Sequence, residues 1–260
     1  MNILFLGDVV GKRGRIAVGL SLPNLIKKYK VDFVILNGEN ASHGRGLTED
    51  DYSYFLSLGV DAITLGNHWH SKPEIDDYIS KADNLVRPLN LFRYDLGSGS
   101  SVFLCNGVEV RVTNVLGQSF MKEEVREPLL SIKSVINNNS NCIHIVDFHG
   151  ESTSEKQIAA YILDGRITAL VGTHTHVQTN DARILPNGTA FICDAGMCGD
   201  PDGVIGFEKS SVINKIVLGQ KGRFEIPESG RLMVNGVLIE VDEKTYKSKS
   251  IKVINEEVEE

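Results

Sequence analysis

No stretch of the sequence is long and apolar enough to cross a bilayer, because every hydrophobic run falls well short of the roughly 20 residues that a spanning helix needs. The apolar start of the chain, residues 1–6, has no basic leader and is followed by Asp8, which argues against a signal peptide. We therefore expect a cytoplasmic protein with no membrane partner.

Cysteine is scarce, with four residues among 260, and no two of them have the C-x-x-C spacing that is typical of zinc and redox sites. Three of the four lie in apolar surroundings. We predict that these residues are buried free thiols rather than members of a zinc site or a disulfide. The four are Cys105, Cys142, Cys193 and Cys198.

Basic side chains are in the minority: 27 lysines and arginines against 34 aspartates and glutamates give a net charge of -7. A general binder of duplex nucleic acid normally presents a basic face, so this composition argues against such a partner. A small phosphorylated substrate is compatible with the charge, since bound metal ions could supply positive charge locally.

What the chain does contain is enough apolar sequence for one sizeable core, with 42% hydrophobic and 23% charged residues. It has no repeat, low-complexity linker or domain boundary, so we predict a single domain over residues 1–260. Apolar runs alternate with helical patterns, which favours an α/β fold with parallel strands and helices on the sheet faces. Strands are predicted at residues 3–6, 31–36, 61–65, 102–104, 108–115, 142–148, 167–171, 189–193, 231–241 and 247–254, and helices at 13–29, 48–58, 73–82, 122–137 and 151–163.

Three further segments carry their own expectations. The pair Asn106-Gly107 between two apolar runs is a strong signal for a two-residue hairpin, so the second half of the chain should contain antiparallel strands. Residues 203–230, rich in Gly and Lys, are interpreted as an insertion or an interface loop. The acidic residues 256–260 are expected to be a frayed end.

Five of the predicted strands end in polar residues that are able to bind metal. In open α/β sheets, ligands lie beyond the carboxyl ends of the strands, so these ends are expected to line one crevice. A collection of Asp, Glu, Asn and His side chains there suits a pair of first-row metals. The five segments are Gly7-Asp8, Asn37-Gly38-Glu39-Asn40, Gly66-Asn67-His68, Asp147-Phe148-His149-Gly150 and Gly172-Thr173-His174-Thr175-His176.

His174 and His176 are the two histidines nearest to each other in this set. In an extended backbone, residues two apart point the same way, so the pair can serve one metal each or converge on a single ion. The alternative is a surface His-x-His with no ligand role.

Each of the other candidates also has a structural alternative. Asp8 could cap the following helix, and Glu39 could be a solvated loop acid. Asn40 and Asn67 could be turn residues, and His149 could be a core histidine. We favour the metal site because these explanations would all have to hold together at consecutive strand ends.

These motifs resemble the metallophosphoesterase (calcineurin-like) superfamily, whose strand-end motifs run Asp-x-His, an acidic residue, Gly-Asn-His, His and Gly-His-x-His. The first motif lacks its histidine, since Asp8 is followed by Val9-Val10, and Glu39 stands where an Asp is usual. With those two departures, residues 1–206 resemble one branch, the YmdB-like 2′,3′-cyclic-nucleotide 2′-phosphodiesterases of bacteria. The resemblance implies a central β-sandwich of mixed sheets flanked by helices, a four-layer αββα arrangement.

The resemblance also implies a role for each site residue. Asp8, Asn40 and His176 would hold one metal ion, and Asn67, His149 and His174 would hold the second. Glu39 would bridge the two ions, and Asn40 would replace the missing histidine of the first motif. The family suggests two iron ions, with manganese able to substitute.

The predicted reaction is hydrolysis of a phosphodiester by a metal-bridging hydroxide, with His68 as the proton donor to the leaving oxygen. The resemblance adds the substrate, a 2′,3′-cyclic nucleotide opened to a 3′-nucleotide. A histidine that merely orients its neighbours is the alternative for His68. Competing functions are a phosphomonoesterase or protein phosphatase, and a non-catalytic regulator that senses nucleotides. The sequence leaves a homo-oligomer open.

Three residues outside this set receive secondary roles. Arg45 and Lys156 are candidates for phosphate contact, although single basic side chains are usually solvated. Asp147 is a candidate hydrogen-bond partner for a ligand histidine.

Overall fold

The computed structural model describes residues 1–92, 94–136 and 141–259. It contains thirteen strands, which are β1 (Asn2–Val9), β2 (Phe33–Asn37), β3 (Ala62–Thr64), β4 (Leu85–Val86), β5 (Ser100–Cys105), β6 (Val108–Leu116), β7 (Ile143–His149), β8 (Ala169–Thr173), β9 (Arg183–Ile184), β10 (Ala190–Ile192), β11 (Met197–Cys198), β12 (Leu232–Val241) and β13 (Ser248–Val258). The helices are α1 (Gly11–Tyr29), α2 (Glu49–Ser57), α3 (Ile75–Tyr78), α4 (Pro128–Ile136), α5 (Thr153–Leu163) and α6 (Lys209–Ile216).

The strands form two mixed sheets. The first has the order β13-β12-β1-β2-β3-β4, with β11 also paired to β1, and the second has the order β5-β6-β7-β8-β10-β9. The parallel pairs predicted at the start of the chain are present, since β1, β2 and β3 are parallel neighbours. The hairpin at Asn106-Gly107 is also confirmed, because β5 and β6 are antiparallel.

Three apolar layers hold the two sheets and the helices together. The layer between the sheets contains side chains from both, for example Phe5 and Ile35 from the first sheet and Val112 and Ile145 from the second. On the outer side of the first sheet, Leu22 of α1 and Phe55 of α2 pack against its strands. Residues of α4 and α5 cover the second sheet. The predicted α/β fold with a four-layer αββα sandwich is therefore confirmed.

Two helices are shorter than predicted. The helix expected over residues 122–137 is α4, which begins only at Pro128; residue 137 lies outside the described part of the chain. Proline disfavours a helical conformation for the residue before it, and the Glu127 carboxylate accepts hydrogen bonds from the first free backbone amides, those of Leu129 and Leu130. The helix expected over residues 73–82 is split into α3 and a 3₁₀ turn at Ile79–Lys81.

The end of the chain and residues 203–230 also differ from the expectation. The predicted frayed end at residues 256–260 is wrong for residues 256–258, which complete β13 and pair with Leu232–Val234 of β12; residue 260 lies outside the described chain. Glu256 is ordered by an ion pair of 2.6 Å with Lys28 of α1. Residues 203–230 contain α6 and pack Phe207 and Ile226 against Val10, beside the carboxyl end of β1.

All four cysteines are buried and free, as predicted. Within the part of the chain that the structure describes, no helix is long and apolar enough to span a membrane. The single-domain organisation, the cytoplasmic location and a homo-oligomeric state stay predictions.

Candidate metal centre

The seven predicted ligands meet at one rim, where the carboxyl ends of strands from both sheets come together. Asp8 is aligned with Asn37 across β1 and β2, and His149 is aligned with Thr173 across β7 and β8. The set that converges is Asp8, Glu39, Asn40, Asn67, His149, His174 and His176.

One half of the site is centred on the Nε2 atom of His149. Around this nitrogen lie Asn67 Oδ1 at 3.0 Å, His174 Nδ1 at 3.0 Å and Glu39 Oε1 at 3.2 Å. The oxygens are acceptors, and the lone pairs of the two nitrogens are free if each imidazole carries its proton on the other nitrogen. Glu39, His149 and His174 thus form a cluster whose ligand atoms all lie within 4.8 Å of one another.

Contacts to the outer ring nitrogens, Nδ1 of His149 and Nε2 of His174, determine where the imidazole protons lie. The Thr173 hydroxyl donates to Asp147 Oδ1 at 2.6 Å, so its oxygen accepts the Nδ1–H of His149 at 2.9 Å. His174 Nε2 lies 3.2 Å from Glu151 Oε2, and this carboxylate favours the proton on that nitrogen. When both imidazoles are neutral, they therefore present a bare nitrogen to the same point, which is the arrangement that metal-binding histidines show.

The other half contains His176, Asn40 and Asp8. His176 Nδ1–H donates to the carbonyl oxygen of Ile205 at 2.9 Å, so Nε2 accepts from Asn40 Nδ2 at 3.1 Å and lies 3.8 Å from Asp8 Oδ1. Asp8 Oδ2 accepts the backbone amide of His174. Asp8 Oδ1 is buried and has no hydrogen-bond partner among the described residues.

Glu39 lies between the two halves. Its Oε1 accepts from Asn40 Nδ2 at 3.0 Å and faces His149, while its Oε2 accepts the backbone amide of His68 at 2.8 Å. A Cβ atom on Gly66 would lie 2.2 Å from Glu39 Oε2 and 2.4 Å from His149 Nε2, so only glycine fits at this position.

The electrostatics of the site favour a cation. Burial opposes charge on His149, yet the Glu39 carboxylate beside it raises the pKa of His149 to about 9. Burial likewise opposes charge on Glu39, but the His149 imidazole holds the pKa of Glu39 well below its ordinary value. Burial raises the pKa of Asp8 to about 6 and, with His149 next to it, lowers the pKa of His174 to about 3. The Glu39 carboxylate therefore stabilises positive charge beside His149 Nε2.

The residues present fit metal ions. Oxygen and nitrogen lone pairs converge, the histidine protons point outward, and a buried carboxylate oxygen is left unpaired. Imidazole, carboxylate and amide oxygen are ligands that first-row divalent metals accept.

The backbone at the two histidines of the His-x-His motif is not extended as predicted. Strand β8 ends at Thr173, and His174 and His176 have φ angles of 102° and 66°. Such positive values are strained for residues other than glycine and cluster at functional sites. The motif therefore sends one histidine to each half of the site because the chain turns, and not through strand alternation.

His68 lies at the edge of the site with its side chain about one quarter exposed. Its Nδ1 is 2.8 Å from Asn40 Oδ1, so Nδ1–H donates to the amide oxygen and Nε2 is left to face solvent or substrate. Burial lowers the pKa of His68. The contact with Asn40 is compatible with both sequence-based hypotheses for His68, proton donor and orienting residue.

The three residues that were given secondary roles occupy different environments in the structure. Lys156 is not solvated: it is fully buried, 3.2 Å from Asp194, and donates to the Thr173 carbonyl at 2.8 Å, so both of its contacts are within the protein. Asp147 supports His149 through Thr173, as described above. Arg45 lines a cleft beside the site.

Several supporting residues were not found from the sequence. The Asp147 carboxylate also accepts from Thr64 Oγ1 at 2.5 Å and Asn37 Nδ2 at 3.0 Å, which joins the two sheets beneath the ligands. The sequence feature that could have indicated these contacts is the presence of polar residues, Asn37, Thr64 and Asp147, within otherwise apolar strands. The contact of His176 with the Ile205 carbonyl could not be predicted from the sequence, because a residue of any type presents a backbone acceptor.

Comparison with known structures defines the class. A novel phosphatase from Mycoplasma pneumoniae superposes with a TM-score of 0.93 at 40% sequence identity, covering 100% of this chain and 94% of that one. A putative 5′-nucleotidase from Staphylococcus aureus shares the fold alone, with a TM-score of 0.60 at 15% identity over 99% of this chain and 54% of that one. The chain is thus a phosphoesterase with the calcineurin-like metallophosphoesterase fold, a fold that carries metal ions.

Within that class the chain belongs to the YmdB-like protein family, whose sequence model matches residues 4–254. The 2′,3′-cyclic-nucleotide 2′-phosphodiesterase of Bacillus subtilis (strain 168) is 44% identical over 256 residues, which are 98% of this chain and 96% of that protein. The family and the enzyme class predicted from the strand-end motifs are confirmed.

Proposed function

We propose that this chain is a dinuclear-metal phosphodiesterase that hydrolyses 2′,3′-cyclic nucleotides to 3′-nucleotides. The observation that carries the proposal is the convergence of Asn67 Oδ1, His174 Nδ1 and Glu39 Oε1 on His149 Nε2, with His176 Nε2 and Asp8 Oδ1 facing each other at 3.8 Å in the other half. The substrate is supported by the 44% identity to the Bacillus subtilis enzyme.

Each half of the site would hold one metal ion. Asn67, His149 and His174 would hold the first, Asp8, Asn40 and His176 the second, and Glu39 would contact both. We propose iron for these ions and expect manganese to substitute, as the resemblance to the family implies; both metals accept imidazole and oxygen ligands. Bound there, such ions lower the pKa of a water molecule and offset the negative charge that develops on the phosphate.

The side chains of the protein position the remaining parts of the reaction. Water adds to phosphorus while the bond from phosphorus to the ribose 2′ oxygen breaks, and that oxygen must gain a proton. His68 would supply it from Nε2, because Asn40 Oδ1 holds its Nδ1 and fixes the ring. The burial that lowers the pKa of His68 makes its protonated form a stronger acid.

Turnover of 2′,3′-cyclic AMP, bis-p-nitrophenyl phosphate and p-nitrophenyl phosphate by the metal-loaded protein tests this function. We expect the cyclic nucleotide to give the 3′-nucleotide and the diesters to exceed the monoester in kcat/KM. A preference for the monoester would show a phosphomonoesterase instead. Saturable binding of the cyclic nucleotide with no product would show a nucleotide-sensing regulator.

A further inference from the structure

A cleft of about 1200 Å³ adjoins the metal centre. Pockets that hold a drug-sized ligand are roughly 300 to 1,000 Å³, so this cleft exceeds what a single cyclic nucleotide needs. The rim of the metal centre is only one part of the space that is available for a substrate.

Four segments that follow site residues along the chain form the walls of the cleft, and one of them is α1, which contributes Lys12 and Arg15 after Asp8. Ser42, His43 and Arg45 follow Asn40, and Ser71 and Lys72 follow His68. The fourth segment begins at Phe207, two residues after the Ile205 carbonyl that binds His176. The segments are packed together, because a Cβ on Gly44 would lie 2.5 Å from the Phe207 ring and one on Gly46 would lie 2.6 Å from Lys72 Cγ. The cleft therefore lies beside the segments that carry Asn40, His68 and Ile205.

The cleft is basic although the chain has a net charge of -7. Its walls carry two glutamates, Glu225 and Glu228, against six cationic side chains, which are Lys12, Arg15, Arg45, Lys72, Lys215 and Arg223. Arg15 is paired with Asp51 at 3.1 Å. The other five have no ion-pair partner within residues 1–92, 94–136 and 141–259. The positive charge of this cleft is thus available to an anionic ligand.

One partly exposed aromatic ring, that of Phe224, lies among these cations and packs on the buried ring of Phe207. Phe207 and Phe224 are 5.5 Å apart between ring centroids, and Lys215 Nζ lies 5.0 Å from the centroid of Phe224. Cationic side chains that follow a phosphate backbone, together with aromatic rings on which bases stack, are the two elements of a site for single-stranded nucleic acid. An acidic peptide would use the charges but not the ring.

We infer that the preferred substrate is the 3′ end of single-stranded RNA that carries a 2′,3′-cyclic phosphate. This inference rests on the proposed function. The cyclic phosphate occupies both the 2′ and the 3′ oxygen of the ribose, so a longer chain can leave the metal centre only through the 5′ oxygen. The phosphates on that side would lie along the cationic wall of the cleft, and a base would reach the partly exposed ring of Phe224.

The reaction at the terminus is the same as for the mononucleotide. One water molecule is consumed, its oxygen bonds to phosphorus, and the bond from phosphorus to the 2′ oxygen breaks. The 2′ oxygen takes up a proton and becomes a hydroxyl group. The RNA keeps its length and ends in a 3′-phosphate.

The test compares 2′,3′-cyclic AMP with a hexa-adenylate that ends in a 2′,3′-cyclic phosphate, using the metal-loaded full chain. We expect kcat/KM to be about tenfold or more higher for the RNA, and to fall with added salt by a logarithmic slope of roughly 0.7 for each phosphate contact. Replacing Lys215→Ala and Arg223→Ala together should lower kcat/KM for the RNA, through KM, far more than for the mononucleotide, and reduce the salt slope. The matched control is Lys81→Ala with Lys244→Ala, two exposed lysines outside the cleft, which should leave both substrates unchanged.

The outcomes separate the two proposals. Hydrolysis of the mononucleotide with equal or lower kcat/KM for the RNA, or equal losses for both substrates in the cleft variant, overturns the RNA inference and leaves the proposed function standing. Hydrolysis of neither substrate overturns the proposed function itself. Inhibition by polyglutamate as strong as that by a hexa-adenylate without the cyclic phosphate would show an acidic-peptide site instead.

Discussion

Thr173 offers a direct test of how the buried hydrogen bonds support the metal centre. Its hydroxyl accepts the Nδ1–H of His149 and donates to Asp147, and all three side chains are fully buried. Thr173→Val preserves the shape but removes the acceptor, so His149 is free to carry its proton on Nε2, where a metal ion would bind. Such supporting contacts are worth about 10- to 100-fold in metal affinity, or roughly 1.4 to 2.8 kcal/mol. We expect the upper part of that range because water reaches none of the partners.

Competition with a chromophoric chelator measures the metal dissociation constant of the full-length variant. Thr64→Val is the matched control, since Thr64 donates to the same Asp147 carboxylate at 2.5 Å but through Oδ2, on the side away from the Thr173 hydroxyl. Both variants should unfold at lower urea concentration, because each removes a buried hydrogen bond. Only Thr173→Val should weaken metal binding. Equal metal affinity in the two variants would refute the role that we assign to Thr173.

Three further predictions concern single residues. Glu39→Gln should lose most bound metal, measured by elemental analysis, and full metal content would contradict a bridging role. His68→Ala should keep its metal while turnover falls roughly 10² to 10⁴-fold; unchanged turnover with a poor leaving group would reject the proton donor. Burial lowers the pKa of His144 to about 3, whereas the pKa of histidine in the unfolded chain is about 6.5. The contribution of neutral His144 to stability is therefore complete above about pH 6.5 and is lost as the pH falls towards 3. His144→Gln should remove about 2 kcal/mol of the drop in urea stability between neutral pH and pH 5, whereas Ile145→Val should lower stability without changing that drop.

The strand and helix pattern was predictable because most of it is set locally. Apolar runs placed β1, β2, β7 and β8, and Asn106-Gly107 placed the β5–β6 hairpin. The two-residue strands β4, β9 and β11 were missed, since each is held by its neighbour in the sheet and carries no periodic signal of its own. The acidic end of β13 was missed for a similar reason: pairing with β12 overrides the poor strand propensity of glutamate.

The positions of the site residues followed from one rule about strand ends, but their geometry did not. The sequence placed His174 and His176 on an extended backbone, whereas positive φ angles send them to different halves of the site. Nothing local predicts that strain, because it is maintained by contacts to Asp8, Glu151 and Ile205 that are distant along the chain.

The dependence of the site on both sheets follows from the position of Asp147. This residue lies in β7 of the second sheet, yet two of its hydrogen-bond donors, Asn37 and Thr64, lie in β2 and β3 of the first. The third donor is Thr173, which holds His149. Any change in the spacing of the sheets therefore changes the orientation of a ligand histidine. A buried carboxylate is costly, and burial raises the pKa of Asp147 accordingly. We conclude that this cost is offset by three hydrogen bonds, which join the two halves of the αββα sandwich beneath the proposed metal centre.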